Sequence, residues 1–245
     1  MELRGRVALV TGAGRRVGRA LAEALGHEGM RVGVHYHESD HGARDTAEVI
    51  TRAGGAAEVL RADLRDPAAC TRLVNAVADR FGALHVLINS AASMLRTPIG
   101  EVTPERWDEI MALNLRAPFF CAQAAARRMS DGGIIINIAD LGGIEVWPGY
   151  IPHGVSKAGL LHLTRGLARA LAPTVRVNAI APGTVLLPDD WTEQEGERLR
   201  RTTPLGRHGS PDDVVGAMLY LLSADYVTGE TLVVDGGRHV RAPQP

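Results

Sequence analysis

The 245-residue sequence predicts a single α/β domain with a doubly wound, seven-stranded parallel sheet and helices on both faces. Short runs rich in β-branched residues alternate with longer segments of helical periodicity along the whole chain, which is typical of parallel sheets. Hydrophobic residues make up 45% of the chain, enough for one large core.

The periodicity places each element in order. The predicted strands are Val7–Val10, Val32–Tyr36, Ala57–Arg61, Leu84–Asn89, Gly133–Ile138, Val175–Ile180 and Thr231–Val234. The predicted helices include Arg16–His27, Pro104–Met129, Ser156–Leu171 and Pro211–Leu222. Pro104 and Pro211 suit first-turn positions, because an amide there has no helical partner. We expect one domain over residues 1–240 and a disordered tail over residues 241–245.

Composition argues against several classes of partner. Lys plus Arg number 27 and Asp plus Glu 28, so no net charge favours nucleic acid or an anionic membrane. No apolar run approaches the roughly 18 residues of a membrane span. Cys70 and Cys121 match no metal spacing, and we expect buried free thiols and no metal site. Few cysteines and no signal peptide favour a cytoplasmic protein.

A glycine-rich loop joins the first strand to the first helix, with the sequence Thr11-Gly-Ala-Gly-Arg-Arg-Val-Gly18. Glycines let the backbone turn sharply and approach a pyrophosphate, and the helix N-terminus supplies free N–H groups. The position between strand and helix favours dinucleotide binding over a bare turn. The candidate cofactor residues here are Gly12, Arg15, Arg16, Val17 and Gly18.

With this loop, the chain resembles the short-chain dehydrogenase/reductase family over nearly its whole length, although Arg16 replaces the loop's middle glycine. The other matches follow the family order: the adenine-contacting pair Asp63-Leu64, the motif Asn89-Ser90-Ala91-Ala92, the helix asparagine Asn114, the nicotinamide turn Pro182-Gly183 and the C-terminal signature Asp235-Gly236-Gly237. The resemblance implies a Rossmann fold, a dinucleotide cofactor and a homotetramer built through the helices at 104–129 and 156–171.

The family's catalytic tyrosine is a histidine in this chain. His153 stands four residues before Lys157, the lysine that in the family binds the nicotinamide ribose, and Asp140 stands where most members have serine. We hypothesise that Asn114, Asp140, His153 and Lys157 together perform a reductase reaction. Imidazole can donate or accept a proton near neutrality, and an adjacent carboxylate would orient it.

Three interpretations of the histidine remain open. His153 is the general acid; or Tyr150 or Asp140 with water donates the proton while His153 shapes the pocket; or proton transfer is impaired and the protein is a cofactor-binding or regulatory subunit. A structural role is the alternative for each residue, since histidines are often only hydrogen-bonded and Asp140 could cap a turn.

Several departures from the wider family are similar to pteridine reductases. They are the arginine in the glycine loop, the segment His35-Tyr-His-x-Ser39, the aspartate at 140 and the tyrosine at 150. They imply an NADPH-dependent oxidoreductase that transfers hydride to a pterin-like C=N bond or a small carbonyl substrate.

The end of the second strand bears on the choice of cofactor. NAD enzymes usually place a carboxylate there, and by count from Thr11 that position is Tyr36. Arg15, Arg16, His37 and Ser39 could donate to a 2′-phosphate, whereas Glu38 argues for NAD. The sequence therefore favours NADP, with NAD as the alternative.

The substrate side is less well specified. We expect Ser93, Tyr150 and Trp191 to line the cleft for a small-molecule substrate. The resemblance implies that the segment 184–191 closes over it. Trp191 and Trp147 could stack on a planar ring, or could be surface packing or oligomer contacts.

Overall fold

The computed structural model describes residues 2–187 and 192–240. Seven strands form one sheet: β1 Val7–Val10, β2 Arg31–Tyr36, β3 Ala56–Arg61, β4 Val86–Asn89, β5 Gly133–Ile138, β6 Val175–Pro182 and β7 Thr231–Val234. They are all parallel, in the order β3-β2-β1-β4-β5-β6-β7. The predicted doubly wound fold is confirmed. The predicted tail at 241–245 and Trp191 lie outside the described residues.

The described helices alternate with the strands as expected. They are α1 Arg16–His27, α2 Asp40–Arg52, α3 Pro67–Phe81, α4 Pro104–Met111, α5 Ala117–Ala126, α6 Ile151–Leu171, α7 Glu193–Thr202 and α8 Pro211–Ser223. Short 3₁₀ turns lie at Leu141–Gly143 and Arg238–Val240. No described helix combines the length and apolar character that crossing a bilayer requires. Cys70 and Cys121 are buried free thiols, as predicted.

The predicted helix over 104–129 is present from Pro104 to Ala126, but it is not α-helical throughout. A π-helical turn at Ala112–Arg116 separates α4 from α5, and α5 ends at Ala126. Pro118 supplies the physical reason, because it has no amide proton to donate to the carbonyl of Asn114 four residues earlier. The turn therefore centres on Asn114, and π turns of this kind often mark functional sites.

Helix α6 begins five residues earlier than predicted, at Ile151 instead of Ser156. Pro152 occupies its first turn, where a missing amide costs nothing. The early start places His153 in the helix's first turn and Lys157 one turn later on the same face. Strand β4 also begins at Val86, two residues after the predicted Leu84.

Two cores cover the two faces of the sheet. In β1, Ala8 and Val10 pack with α1, α2 and α8, whereas Val7 and Leu9 pack with α3, α5 and α6. All four side chains are fully buried. A parallel sheet buried on both faces explains why its strands read as unbroken apolar runs.

The order of strands reverses at β1, which pairs with β2 on one side and β4 on the other. The connections that follow β1 and β4 therefore leave in opposite directions, and a crevice opens between them at the carboxyl edge. The glycine loop and the Asn89–Ala92 segment both follow strands at this crevice.

The close packing of α1 on α2 depends on Gly26, and a methyl group should disrupt it. A Cβ at Gly26 would lie 2.7 Å from Ile50 Cγ2, so we expect Gly26→Ala to lower the free energy of unfolding by about 1–3 kcal/mol. The matched control is Gly216→Ala in α8, where a Cβ meets nothing within 4 Å and greater helix propensity should stabilise by up to about 1 kcal/mol. Equal urea midpoints for the two variants would contradict the packing argument.

Candidate active site

The glycine loop is held against the end of β4. The Thr11 hydroxyl accepts hydrogen bonds from the amides of Ser90 (2.9 Å) and Ala91 (3.1 Å). Gly12 has a φ of +68°, and a Cβ there would lie 2.9 Å from the Ala91 Cα. The two loops therefore approach this closely because Gly12 has no side chain.

Arg16 takes a left-handed backbone conformation, with a φ of +52°. This explains why a glycine suits the position, since an L side chain is strained there. The Arg16 guanidinium donates to the carbonyl oxygen of Leu186 at 3.3 Å, on the predicted substrate segment. Val17 and Gly18 follow in the first turn of α1, and Gly18 packs against the Gly12 carbonyl.

The end of β2 carries the residues predicted to select the cofactor. The hydrogen bond to the Asp40 carboxylate raises the pKa of Tyr36. His37 lies 3.8 Å from both Glu38 and Asp63. Ser39 is the residue before α2. Its hydroxyl accepts no hydrogen bond from the first-turn amides, so it does not cap the helix.

Two further predicted cofactor residues are engaged by neighbours. Asp63 accepts hydrogen bonds from Arg65 at 2.8–3.1 Å, and these hold the pKa of Asp63 at about 2. The side-chain amide of Asn89 donates to Asn137 within the core, at 2.9 Å. Asn89 is 3% exposed, so little of its side chain is open to a ligand. Leu64 is 3% exposed.

The structure brings together all four residues of the hypothesised catalytic constellation. His153 Nε2 lies 2.8 Å from the Asp140 carboxylate, and His153 Nδ1 lies 3.1 Å from the Ser93 carbonyl oxygen. A carbonyl oxygen can only accept, so the contact with Ser93 requires a proton on Nδ1, and the Asn114 side-chain nitrogen lies 3.4 Å from the same atom. Both nitrogens of the ring are thus engaged.

Asn114 holds the Ser93 loop against the histidine. Its side chain accepts from the Ser93 amide at 2.8 Å and donates to the Ser93 carbonyl at 2.9 Å. It also donates to the Ser156 hydroxyl at 3.1 Å. The role of Ser156 is not signalled by any motif, although its position three residues after His153 on α6 could have suggested it.

The charges of the site offset one another. Burial lowers the pKa of Lys157, which donates to the Ile138 carbonyl at 2.9 Å and lies 3.9 Å from Asp140. Burial by itself raises the pKa of Asp140, but the hydrogen bond from His153 and the charge of Lys157 outweigh it, and the net pKa is lowered. Asp140 also accepts from the Gly142 amide at 2.8 Å.

The exposure of the two paired side chains differs. His153 is 1% exposed, whereas the Asp140 side chain is 22% exposed. Asp140 is therefore the member of the pair that solvent or a substrate can reach.

Trp147 packs over His153. Its indole is parallel to the His153 ring within 6°, with ring centroids 6.4 Å apart, and it meets Tyr150 edge-on. The indole N–H donates to Glu145 at 3.0 Å. Trp147 thus packs on His153, where the sequence suggested only a substrate-stacking, surface or oligomer role. Tyr150 is half-buried beside it.

The turn after β6 lies against the C-terminal signature. Pro182 is the last residue of β6, and the Gly183 amide donates to the Val234 carbonyl at 2.9 Å. A Cβ at Gly183 would lie 2.9 Å from Asp235 Cβ. This close approach requires glycine and fixes where the chain enters the substrate side.

Comparison with known proteins identifies the chain's relatives. A family model described as enoyl-(acyl carrier protein) reductase matches residues 12–239. A 3-oxoacyl-[acyl-carrier-protein] reductase of Synechocystis sp. is 36% identical over 242 residues, covering 96% of this chain and 97% of the relative. The 3beta-hydroxysteroid dehydrogenase 1 of Eggerthella lenta is 35% identical over 246 residues, covering 96% and 94%. The chain belongs to the short-chain dehydrogenase/reductase family.

The fold agrees with solved members of the family. A dehydrogenase/reductase from Sinorhizobium meliloti 1021 is 36% identical, has a TM-score of 0.91 and is matched over 97% of each chain. This short-chain dehydrogenase/reductase is therefore an oxidoreductase of a family that uses NAD(P)(H).

Proposed function

We propose that this short-chain dehydrogenase/reductase is an NADPH-dependent reductase that transfers hydride to a pterin-like C=N bond or a small carbonyl. The observation that carries the proposal is the buried Asp140–His153 pair beside Lys157, at the edge of the sheet where the dinucleotide crevice opens. An acid next to an imidazole in a cleft is a common arrangement for proton transfer.

The donor groups at the crevice fit a dinucleotide. The first-turn amides of α1 have no partners within the helix and favour a pyrophosphate there. The side chains of Arg15 and Arg16 are exposed, and neither forms an ion pair with a residue in the described ranges. Gly12, Gly18, Ser90, Ala91, Pro182 and Gly183 would frame the cofactor from the ends of three strands.

The residues after β2 support NADP over NAD. Tyr36 replaces the usual carboxylate, and its hydroxyl is directed to Asp40. Glu38, the acid that argued for NAD, is 88% exposed at its side chain. Arg15, His37 and the Ser39 hydroxyl, which does not cap α2, remain as donors for a 2′-phosphate.

The proton path follows from the engaged histidine. When bound, the nicotinamide supplies a hydride to the substrate carbon, and the neighbouring nitrogen or oxygen then needs a proton. His153 is too buried to deliver it directly, so we assign the transfer to Asp140, which receives the proton from Nε2 and passes it into the cleft. In this path His153 ends neutral, and its Nδ1–H still donates a hydrogen bond to the Ser93 carbonyl oxygen. Lys157 keeps Asp140 ionised between turnovers.

The aromatic side chains of Trp147 and Tyr150 support a planar substrate. Tyr150 lies beside Trp147 next to the pair, and Ser93 follows β4 on the opposite side of the histidine. A flat conjugated ring could pack against Tyr150 while its polar edge meets Asp140. Trp191 is a further candidate that lies outside the described residues.

Turnover should depend on both members of the pair. We expect Asp140→Asn and His153→Ala to lower kcat about 100- to 10,000-fold against dihydropterins, quinones and small carbonyls with NADPH, because each removes a proton-transfer group. The control is Asp108→Asn, an exposed carboxylate of α4, which should leave kcat unchanged. NADPH oxidation is followed by absorbance. Full activity in Asp140→Asn would refute the path, and a large gain in His153→Tyr would indicate an impaired enzyme instead.

Cofactor preference should depend on Arg15. We expect Arg15→Ala to weaken NADPH binding about tenfold and to leave NADH binding unchanged, because a charge-assisted bond to the 2′-phosphate is lost. Fluorescence titration of each reduced cofactor measures both constants. An equal loss for NADH and NADPH would place Arg15 on the shared pyrophosphate and remove it from the selection of NADP.

We also propose a homotetramer in a reducing cytosol. Trp107 of α4, Phe119 of α5 and Val155 of α6 are apolar and 36–43% exposed, on the helices predicted to form the contact. The free thiols suit a reducing compartment, and cell fractionation tests whether the protein is in the cytosol. Light scattering should give the mass of four chains, and a monomer at micromolar concentration would exclude the assembly.

A further inference from the structure

The buried imidazole of His35 in β2 contacts two parts of the candidate cofactor site. Its Nδ1 lies 3.1 Å from the Gly12 amide, and its Nε2 lies 3.1 Å from the Ala62 carbonyl oxygen. The side chain is 2% exposed. Since the amide can only donate and the carbonyl can only accept, one tautomer fits: the proton is on Nε2 and Nδ1 is bare.

These two contacts join separate segments of the crevice. Gly12 opens the glycine loop, while Ala62 directly precedes Asp63-Leu64 at the end of β3. The Ala13 amide also donates to the His35 carbonyl, at 2.8 Å. The first two amides after Thr11 are therefore committed to His35, and the amides left for a pyrophosphate come later, from the first turn of α1.

We infer that His35 is a positioning residue of the cofactor site, whose neutral ring holds the glycine loop in register with the end of β3. The inference rests on the dinucleotide site proposed above. It assigns His35 no contact with the cofactor. The ring acts by fixing where the loop turns, and hence where the α1 amides lie relative to the adenine side.

Protonation would break the link, because an imidazolium has no lone pair for the Gly12 amide. Burial lowers the pKa of His35 to about 4, the hydrogen bond to Ala62 opposes this, and the charge of His37, just after the end of β2, adds to it. His37 itself faces Glu38 and, from the β3 side, Asp63. The folded pKa is below the unfolded value of about 6.5, so the stability is complete above pH 6.5 and is lost as the pH falls toward 4.

Two substitutions of His35 distinguish the effect of the ring's hydrogen bonds from the effect of its volume. His35→Phe fills the space without either hydrogen bond, whereas His35→Gln offers an oxygen to Gly12 and an N–H to Ala62. We expect His35→Phe to weaken NADPH binding about tenfold and to speed hydrogen exchange at the Gly12 amide. His35→Gln should stay within about threefold of wild type in both measurements.

His85 supplies a matched control at the opposite edge of the sheet. Its Nδ1 accepts the Val7 amide at 3.0 Å, at the start of β1. His85→Phe loses a comparable bond, and NADPH affinity should remain unchanged. A purely structural role for His35 would make the His35→Phe and His85→Phe variants alike in cofactor binding, and that result would overturn the inference.

The pH dependence of the cofactor-free protein gives an independent readout. Between pH 7 and pH 5, the unfolding equilibrium constant of wild type should rise about 20-fold more than that of His35→Gln, whose side chain does not titrate. His41→Gln, at an exposed histidine, should follow wild type. Equal pH dependence in wild type and His35→Gln would refute the neutral buried ring. Failure of wild type to bind NADPH would contradict the proposed function, while this measurement would still decide the state of His35.

Discussion

The reversal of strand order at β1 is the constraint on which the site depends. Because β1 lies between β2 and β4, the chain segments that follow β1 and β4 diverge and leave a crevice. Thr11 closes the base of that crevice by accepting the amides of Ser90 and Ala91. Every parallel strand ends at the same edge, so residues far apart in sequence, such as Asp140 after β5 and Pro182 at the end of β6, meet there.

The buried charges explain why Asp140 and His153 occur together. Removing an ion from water costs several kcal/mol unless partners replace the lost solvation. The buried imidazole of His153 has two ring nitrogens, and each needs a polar partner. In this chain the Ser93 carbonyl supplies one and the Asp140 carboxylate the other. A serine at 140 would leave Nε2 with a weaker, neutral partner. Asp140 and His153 therefore suit each other chemically.

Much of the fold is predictable from local patterns. Strands that are buried on both faces are apolar throughout, and a glycine-rich loop between a strand and a helix is compatible with few other structures. The errors come from interactions that a local pattern does not record. Pro118 acts on Asn114 one turn earlier, so the π turn depends on a missing amide instead of a side-chain periodicity. Ser156 lies well inside α6, and the start of the helix is set by Pro152.

Side-chain direction is the other quantity that sequence motifs leave open. Asn89 matches a family motif, yet its amide is directed into the core toward Asn137. His35 matches a motif too, but the backbone groups that its ring contacts belong to the segments that follow β1 and β3, and they are known only once the strands are paired. The motif identifies where these residues lie along the strand, and the sheet order determines what they contact.

The same reasoning gives the C-terminal signature a structural role. Asp235 accepts the amides of Gly237 and His239, which fixes the turn that carries Arg238. Arg238 reaches Glu145 at 3.4 Å, and Glu145 accepts the indole N–H of Trp147, which packs on His153. The 3₁₀ turn at Arg238–Val240 is thus connected to His153 through an ion pair, a hydrogen bond and one aromatic ring. Because Glu145 and Arg238 are both about three-quarters buried at their side chains, losing either would leave a poorly solvated charge at the mouth of the cleft. The signature is therefore part of what holds Trp147 over the imidazole.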